Sequence, residues 1–397
     1  MLRGKTKTVR KSMFQRFKKK SSSSVAKRIK PKQPIPVHTG IKILVPLMKK
    51  GLKLERYQEL LANIGTPIDT VIVLVHPCII PKILLENKRL TFHKFDYGKR
   101  KRDYISQKRV FNLCRSLEYD VVFCPSGFWN QVVADVAKKV KKCKVVVYAT
   151  QDHEYRKFDS NGNVLASILA RRVEFNTMKR SFDLIVPVSR HTQSRLKKAR
   201  VNDLSIPVPM GVDMVEFYPK VIMNEKFVVG YAGVISKSKG SDLLKEIILR
   251  NNHIRFIITG RIVDKSFFKK GLPDNVSYQG NLPQGFMPKF YQDISVLLIP
   301  SVVDGFPRCI LEAYASGVPI MIGSKVSPIS IPVFGFEMSR IPSDWCLFLE
   351  SMNSNEDYRK KMFNRGLDAR EFIFDKFTWK KFKLNINRQI YGVMGLV

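Results

Sequence analysis

The chain has 397 residues, 44% of them hydrophobic, and carries a formal net charge of +37 from 70 Lys and Arg against 33 Asp and Glu. That length exceeds what one hydrophobic core usually fills, so two domains of common size are expected. No apolar run is long enough to cross a bilayer, the six cysteines are scattered without metal-ligand spacing, and the six histidines include no HExxH-type pair. The composition therefore points away from a membrane span, a disulfide scaffold and a structural metal, and towards an intracellular globular protein with reduced core cysteines.

Residues 1–40 read as a tail. The first 36 hold thirteen basic side chains and no acid, and the first acid of the chain is Glu55. No apolar core follows the basic start, so a secretory signal is not expected. Val9, Met13 and Phe17 recur at four-residue steps. Two readings stand: a disordered, solvated tail, or a short basic amphipathic helix lying on an anionic membrane. SSSS and PKQPIP read as linker.

From residue 41 a strand–helix rhythm begins. IKILVP, TVIVLV, DVVFCPS, KVVVYA and DLIVPVS read as strands. LERYQELLANIG, FWNQVVADVAKKV, NVLASILARRVEFNTMKR and HTQSRLKKA read as helices, and the basic run GKRKRDYISQKRVFNLCRSL leads into another. Short apolar strands alternating with helices predict a mostly parallel sheet covered on both faces. PVPMGVDMVEFYPK, residues 207–220, breaks the rhythm with Pro and Gly and is expected to be the junction. The rhythm restarts with the strands KFVVGYAG, IRFIITG, NVSYQG and DISVLLIP, the helices SDLLKEIIL and PKFYQDI, and a last amphipathic helix in FTWKKFKLNINRQIYGVM. The expected organisation is a tail over 1–40, one α/β domain over 41–212, a second over 213–375, and a C-terminal helix over 376–397 that packs back on the first domain. A cleft between two such domains is a favoured ligand site.

The segment SVVDGFPRCILEAYASGVPIMIGS, residues 301–324, carries the most chemistry. It reads as a loop after a buried strand, then a helix opened by Pro307 and stopped by Gly317, then another strand. Ligands of such units bind at the carboxyl ends of the strands, beside helix N-termini that attract anions. Asp304 falls in the loop and Glu312 just over one turn into the helix. Glu312 is flanked by Ile310, Leu311 and Ala313, so it is expected to be buried and to need a partner. The pair suits a ligand with a phosphate at one end and hydroxyls on either side.

GVDMVEF, GYAGVISKSKGSDLL, NVSYQGNLPQGFMPKFYQDISVLLIPS and DGFPRCILEAYASGVPI follow one another in this order. Together they resemble the family-4 retaining glycosyltransferases of GT-B fold. Asp304 stands in the first place of that family's E-x7-E motif and Glu312 in the second. The resemblance is strong over about residues 207–324, looser over 41–206, and does not include the tail. It implies two Rossmann-like domains facing across a cleft, with a UDP- or GDP-linked sugar donor in the second and the acceptor in the first. It further implies that Glu312 accepts hydrogen bonds from ribose hydroxyls and that Asp304 steadies the donor sugar. Phe306 and Arg308 are to offer backbone N–H groups, which Pro307 cannot. Lys239 is to bind the diphosphate and stabilise the leaving group, while Gly233 and Gly240 let the backbone approach.

Such a reaction builds positive charge on the sugar and negative charge on the departing diphosphate, so fixed cations at the diphosphate lower the barrier. The sequence has no Asp-x-Asp triplet, and the resemblance implies a reaction with retention, no cofactor and no metal. Three departures bear on it. Val234 stands where the family often has an arginine, leaving Lys237 or Arg261 as substitutes. Asp304 is one methylene shorter than glutamate. In ATQDHEY, Gln151 holds the place of a frequent histidine, with Asp152 and His153 next as candidates to touch substrate. His153 also fits a loop histidine bonded to backbone. Gly51 fits the family's Gly-rich donor loop and, equally, an ordinary βα turn.

The resulting expectation is a retaining, metal-independent glycosyltransferase acting on a hydroxyl of a glycan, glycolipid or glycoprotein, either free in the cytoplasm or resting on the cytoplasmic face of a membrane. One rival is a protein that binds nucleic acid or another anionic surface, motivated by the charge, although the core has no recognisable nucleic-acid motif. A sugar-nucleotide hydrolase or phosphorylase on the same scaffold is another. A non-catalytic relative is the last, motivated by Val234 and Gln151.

Overall fold

A computed structural model describes residues 40–48, 54–95, 104–150, 176, 181–267, 269, 271–302, 306–323 and 332–397. The basic tail, most of the helix expected over 163–180, and the candidates Gly51, Asp152, His153 and Asp304 lie outside the described residues.

Six strands form the first sheet: β1 (Lys42–Leu47), β2 (Thr70–Val75), β3 (Leu90–Lys94), β4 (Val121–Pro125), β5 (Lys144–Ala149) and β6 (Leu184–Pro187). Their continuous Val, Ile and Leu runs are what a sheet buried on both faces demands, since no face is left for polar residues. In β1, β2 and β5 every position is buried except the first, where the chain enters the sheet. Helices α1 (Gln58–Asn63), α2 (Lys82–Leu85), α3 (Tyr104–Ser116) and α4 (Phe128–Lys141) lie between these strands, and α5 (Arg190–Lys198) follows β6. The helix expected over 54–65 is shorter, because Leu54–Tyr57 is a 3-10 turn and Ile64 is already extended.

The second sheet contains β7 (Val228–Ala232), β8 (Arg255–Thr259), β9 (Val276–Tyr278), β10 (Val296–Ile299), β11 (Ile320–Gly323) and β12 (Gly335–Met338). Its helices are α6 (Ser241–Arg250), α7 (Met287–Asp293), α8 (Arg308–Ala315), α9 (Pro342–Ser354) and α10 (Glu356–Phe374). Trp345 of α9 is fully buried in its core, among Met321, Met338 and Leu349.

All strand pairs are parallel. The orders are β3-β2-β1-β4-β5-β6 and β12-β11-β10-β7-β8-β9. Counted within each half, these are the same doubly wound order. Each sheet is built outwards in both directions from a central pair, β1 beside β4 and β7 beside β10. At that pair the connections leave to opposite faces and open a crevice at the carboxyl ends of the strands. This is the GT-B architecture.

The chain passes between the halves twice, and the two passages lie side by side. Val212 N donates to Phe377 O at 2.9 Å, and Val212 and Thr378 form a parallel bridge. The passages are so close that a Cβ on Gly211 would stand 2.4 Å from Trp379 N. After the second passage, α11 (Trp379–Val393) packs on the first half, against α1, β5 and β6. Asn387 accepts from Gly65 N at 2.8 Å and donates to Gly65 O at 3.0 Å, while the Tyr391 hydroxyl donates to Asp69. Asp69 in turn accepts from Ile41 N at 2.8 Å, at the entrance to β1.

Gly211→Ala is expected to lower stability by about 1–3 kcal/mol, the usual cost of forcing a methyl group into packed atoms. Gly392, in the last turn of α11, has nothing within 4 Å of its Cβ position. Gly392→Ala should therefore be neutral or stabilising by up to about 1 kcal/mol. Urea denaturation of both variants checks the contrast; equal effects would mean that the crossing has room to spare.

Candidate functional site

The second sheet's central pair carries most of the residues singled out in the sequence. After β7 the chain makes a tight turn in which Gly233 N donates to Thr259 O at 3.0 Å. Gly260 follows at φ 131°, and a Cβ there would stand 1.7 Å from Gly233 O. Only glycine accepts both that conformation and that approach. Ile235 pairs with the next turn through Arg261 O at 3.0 Å, which places Arg261 beside the loop that carries Lys237 and Lys239. Gly240, at φ 75°, ends the 3-10 turn Lys237–Lys239 and opens α6. A Cβ on it would stand 2.1 Å from Pro300 O, at the end of β10. Val302 N donates to Ser238 O at 3.1 Å, joining the two loops.

Gly233, Lys237, Lys239, Gly240 and Arg261 thus stand on adjoining turns at one end of the sheet. Lys237 also faces an acid. The Asp264 carboxyl is held below its usual range, first by the Ser241 hydroxyl at 2.6 Å, then by the Ser266 hydroxyl, with the charge of Lys237 contributing.

From β10 the chain reaches α8, with Pro307 at its N-cap and no acid in its first turn. Phe306 is buried. Glu312 is buried at 8% exposure and, as a buried carboxylate requires, has partners. The fully buried Tyr291 donates its hydroxyl to Glu312 Oε2 at 3.0 Å. Gln284 Nε2 reaches Oε1 at 3.3 Å, and the Arg308 guanidinium stands 3.5 Å from the same oxygen. The carboxylate lines a cavity of about 260 Å3 between the two halves.

Across that cavity Gln58 and Glu59 come from the first half, Asp213 and Glu216 from the first passage, and Trp379 from the second. Asp213 caps its own turn, accepting from Val215 N at 2.8 Å and Glu216 N at 2.9 Å. Burial pushes the Glu59 carboxyl above its usual range, Asp213 adds to the effect, and Arg308 opposes it. Burial likewise raises Glu216, with Asp213, Glu312 and Glu59 adding and Arg308 opposing. Arg308 is the cation of this wall. Its guanidinium therefore acts in the cavity, a part that the sequence reading, which considered its backbone N–H, did not include. Glu59, Glu216, Gln284 and Tyr291 were not singled out there either.

Glu216 yields a pH prediction. Its folded-state pKa is raised, so the folded chain holds this proton more tightly than the unfolded chain does. The resulting penalty is absent below the ordinary glutamate value, accumulates as pH rises through the raised one, and is complete above it. Glu216→Gln should melt at a higher temperature than wild type at neutral pH, with the gap closing as pH falls to the ordinary glutamate range. A gap that stays constant with pH would mean that the carboxyl is not strained.

Residues 226–330 match the family of glycosyl transferases group 1. Among solved structures, the chain is similar to Anabaena HepE in complex with UDP and glucose, at 17% identity and a TM-score of 0.71, over 90% of this chain and 100% of that one. It is also similar to sucrose-phosphate synthase of Thermosynechococcus elongatus, at 12% identity and a TM-score of 0.73, over 90% and 100%. A curated relative, an uncharacterized glycosyltransferase of Methanocaldococcus jannaschii, is 20% identical over 200 residues, which are 44% of this chain. The match spans about half of that relative's length, 48%. At these identities the solved structures speak for the fold, and the matched residues are those that build the second sheet's turns and α8. The chain has the GT-B fold, and its residues 226–330 match the glycosyl transferases group 1 family.

Proposed function

We propose that this chain is a glycosyltransferase that moves a sugar from a UDP- or GDP-linked donor to a hydroxyl of a glycan, glycolipid or glycoprotein, with retention and without a metal. The observation that carries the reading is the joining of the Gly233–Gly240 turn to the end of β10, one short loop before the helix that buries Glu312. A diphosphate would meet Lys239 and the start of α8, whose first turn is free of acids. A ribose would meet Glu312, whose carboxylate Tyr291 holds in place. Similar structures hold UDP and UDP-glucose, which supports a donor of this class. Asp304 remains our candidate for steadying the donor sugar, and Asp152 and His153 for contact with the acceptor.

The chemistry follows from the charges. As the glycosyl–oxygen bond breaks, negative charge grows on the diphosphate, and the attraction of Lys239 grows with it. The lysine therefore acts mainly on rate. The acceptor hydroxyl attacks from the face that the diphosphate leaves, and its proton passes to the departing phosphate oxygen.

We further place the enzyme against the cytoplasmic face of a membrane. The reading is motivated by the +37 charge and the acid-free stretch before Glu55. Among the described residues no helix is long and apolar enough to cross a membrane, so contact would be peripheral. Sedimentation with anionic vesicles should carry the full chain down at low salt, and less of it as salt rises. A chain starting at His38 should bind less; equal binding by both would move the contact from the tail to the domain surface.

Nucleotide release from a panel of sugar nucleotides tests the activity directly. Lys239→Ala should lower turnover by about two orders of magnitude, as for loss of one preorganised electrostatic contact. Glu312→Gln should instead weaken nucleotide binding about tenfold, the equivalent of a charge-assisted hydrogen bond. Both should be indifferent to added Mg2+ or EDTA. A wild-type chain that neither binds nor turns over any sugar nucleotide would leave the fold without this activity.

A further inference from the structure

The first sheet has its own central pair, β1 beside β4, and polar groups stand at the carboxyl ends of its strands that the reading above does not use. Helix α4, of 14 residues, begins there. Its N-cap is Gly127, at φ 154°, so no side chain caps it, and its first turn holds no acid. Three basic residues crowd its last turn. An uncapped helix start of this kind directs N–H groups and partial positive charge at whatever fills the crevice.

Asn130 fixes that helix start in place. Its Oδ1 accepts from Met48 N, just after β1, at 2.8 Å, and its Nδ2 donates to Pro125 O, at the end of β4, at 2.9 Å. The amide of Asn130 is thereby committed to both strands of the pair.

The next residue, Gln131, is 1% exposed, and among the described residues neither its Nε2 nor its Oε1 has a hydrogen-bond partner. An amide buried in this state costs the full desolvation of two polar atoms, which a leucine of similar size would avoid. Side chains of a helix tilt towards its N-terminus, so a residue in the fourth position covers the first turn. The orphaned amide is thus directed to the helix start. Beside it, at the ends of β4 and β5, the Ser126 and Thr150 hydroxyls stand 3.0 Å apart, and Ser126 Oγ accepts from Thr150 N at 3.0 Å.

We propose that this crevice is an oxyanion-binding part of the acceptor site, in which the start of α4 and Gln131 Nε2 hold a phosphate or carboxylate group of the acceptor. Gln131 Oε1 and the Ser126–Thr150 pair then serve neighbouring hydroxyls. The inference rests on the glycosyltransferase reading and adds to it the chemistry of the acceptor: a hydroxylated molecule that carries a compact anionic group.

The test titrates the full chain with inorganic phosphate and, separately, with acetate, at ionic strength matched with chloride, reading the melting temperature. UDP affinity is measured in parallel. Gln131→Leu should melt higher than wild type without ligand, because it removes an orphaned amide, and should bind the oxyanion about tenfold more weakly, as expected for loss of one hydrogen bond to a charged group. Gln131→Glu, which sets a negative charge at the helix start, should lose oxyanion binding as well. UDP affinity should be unchanged in both. A stronger effect of phosphate than of acetate assigns a phosphate-bearing acceptor, and the reverse a carboxylate. Oxyanion affinity unchanged in both folded variants would overturn the proposal. So would a joint loss of oxyanion and UDP affinity, which would place the anion in the donor site. A chain that turns over no sugar nucleotide yet loses phosphate binding with Gln131 would refute the glycosyltransferase reading while leaving the oxyanion site standing.

Discussion

The arrangement of the two sheets depends on one close contact, the side-by-side passage of the chain at Val212 and Thr378. Two backbones approach there without side chains between them, which only Gly211 allows. A hydrogen bond from Val212 N to Phe377 O fixes their register. Everything that lies between the halves is set by that register. Asp213 and Glu216 leave the first passage towards the cavity, Trp379 leaves the second, and both meet Arg308 and Glu312 from α8.

The fold was legible in the sequence because buried parallel strands leave an unbroken apolar signal. TVIVLV and KVVVYA could be little else. Two edge strands, β3 and β12, were missed for the opposite reason. LTFHK and GFEM sit at the margins of their sheets, where half the positions face solvent or a neighbouring helix. Helix α10 was missed although its buried residues Met362, Gly366, Ala369 and Ile373 follow helical spacing. A stripe so narrow, on 19 mostly polar residues, does not stand out from a solvated segment.

The candidate site was legible where chemistry constrains backbone. Gly240 announces itself because no other residue fits its turn, and Glu312 because an acid in an apolar helix must answer to something. Its answer, Tyr291, lies 21 positions away on another helix, and sequence carries no trace of that meeting. Nothing in the sequence sets Glu59 and Glu216 apart from other acids. They become site residues only because the crossing brings a helix of the first half against the passage and α8. Gln131 was hidden in the same way: a glutamine in an amphipathic helix looks solvated until the fold buries it.

The return of α11 to the first half has a consequence for how the protein is made. Gly65, Asp69 and the aromatic ring of Tyr148 find their partners in Asn387, Tyr391 and Phe382, which follow the whole second sheet in the sequence. Translation delivers the N-terminal sheet first, yet that sheet cannot complete its packing until α11 has also been made. The C-terminal sheet, begun later, has all of its strands and helices in one unbroken stretch and can close before its predecessor. The order of folding would then run against the order of synthesis, with the second half acting as the anchor onto which the first is sealed.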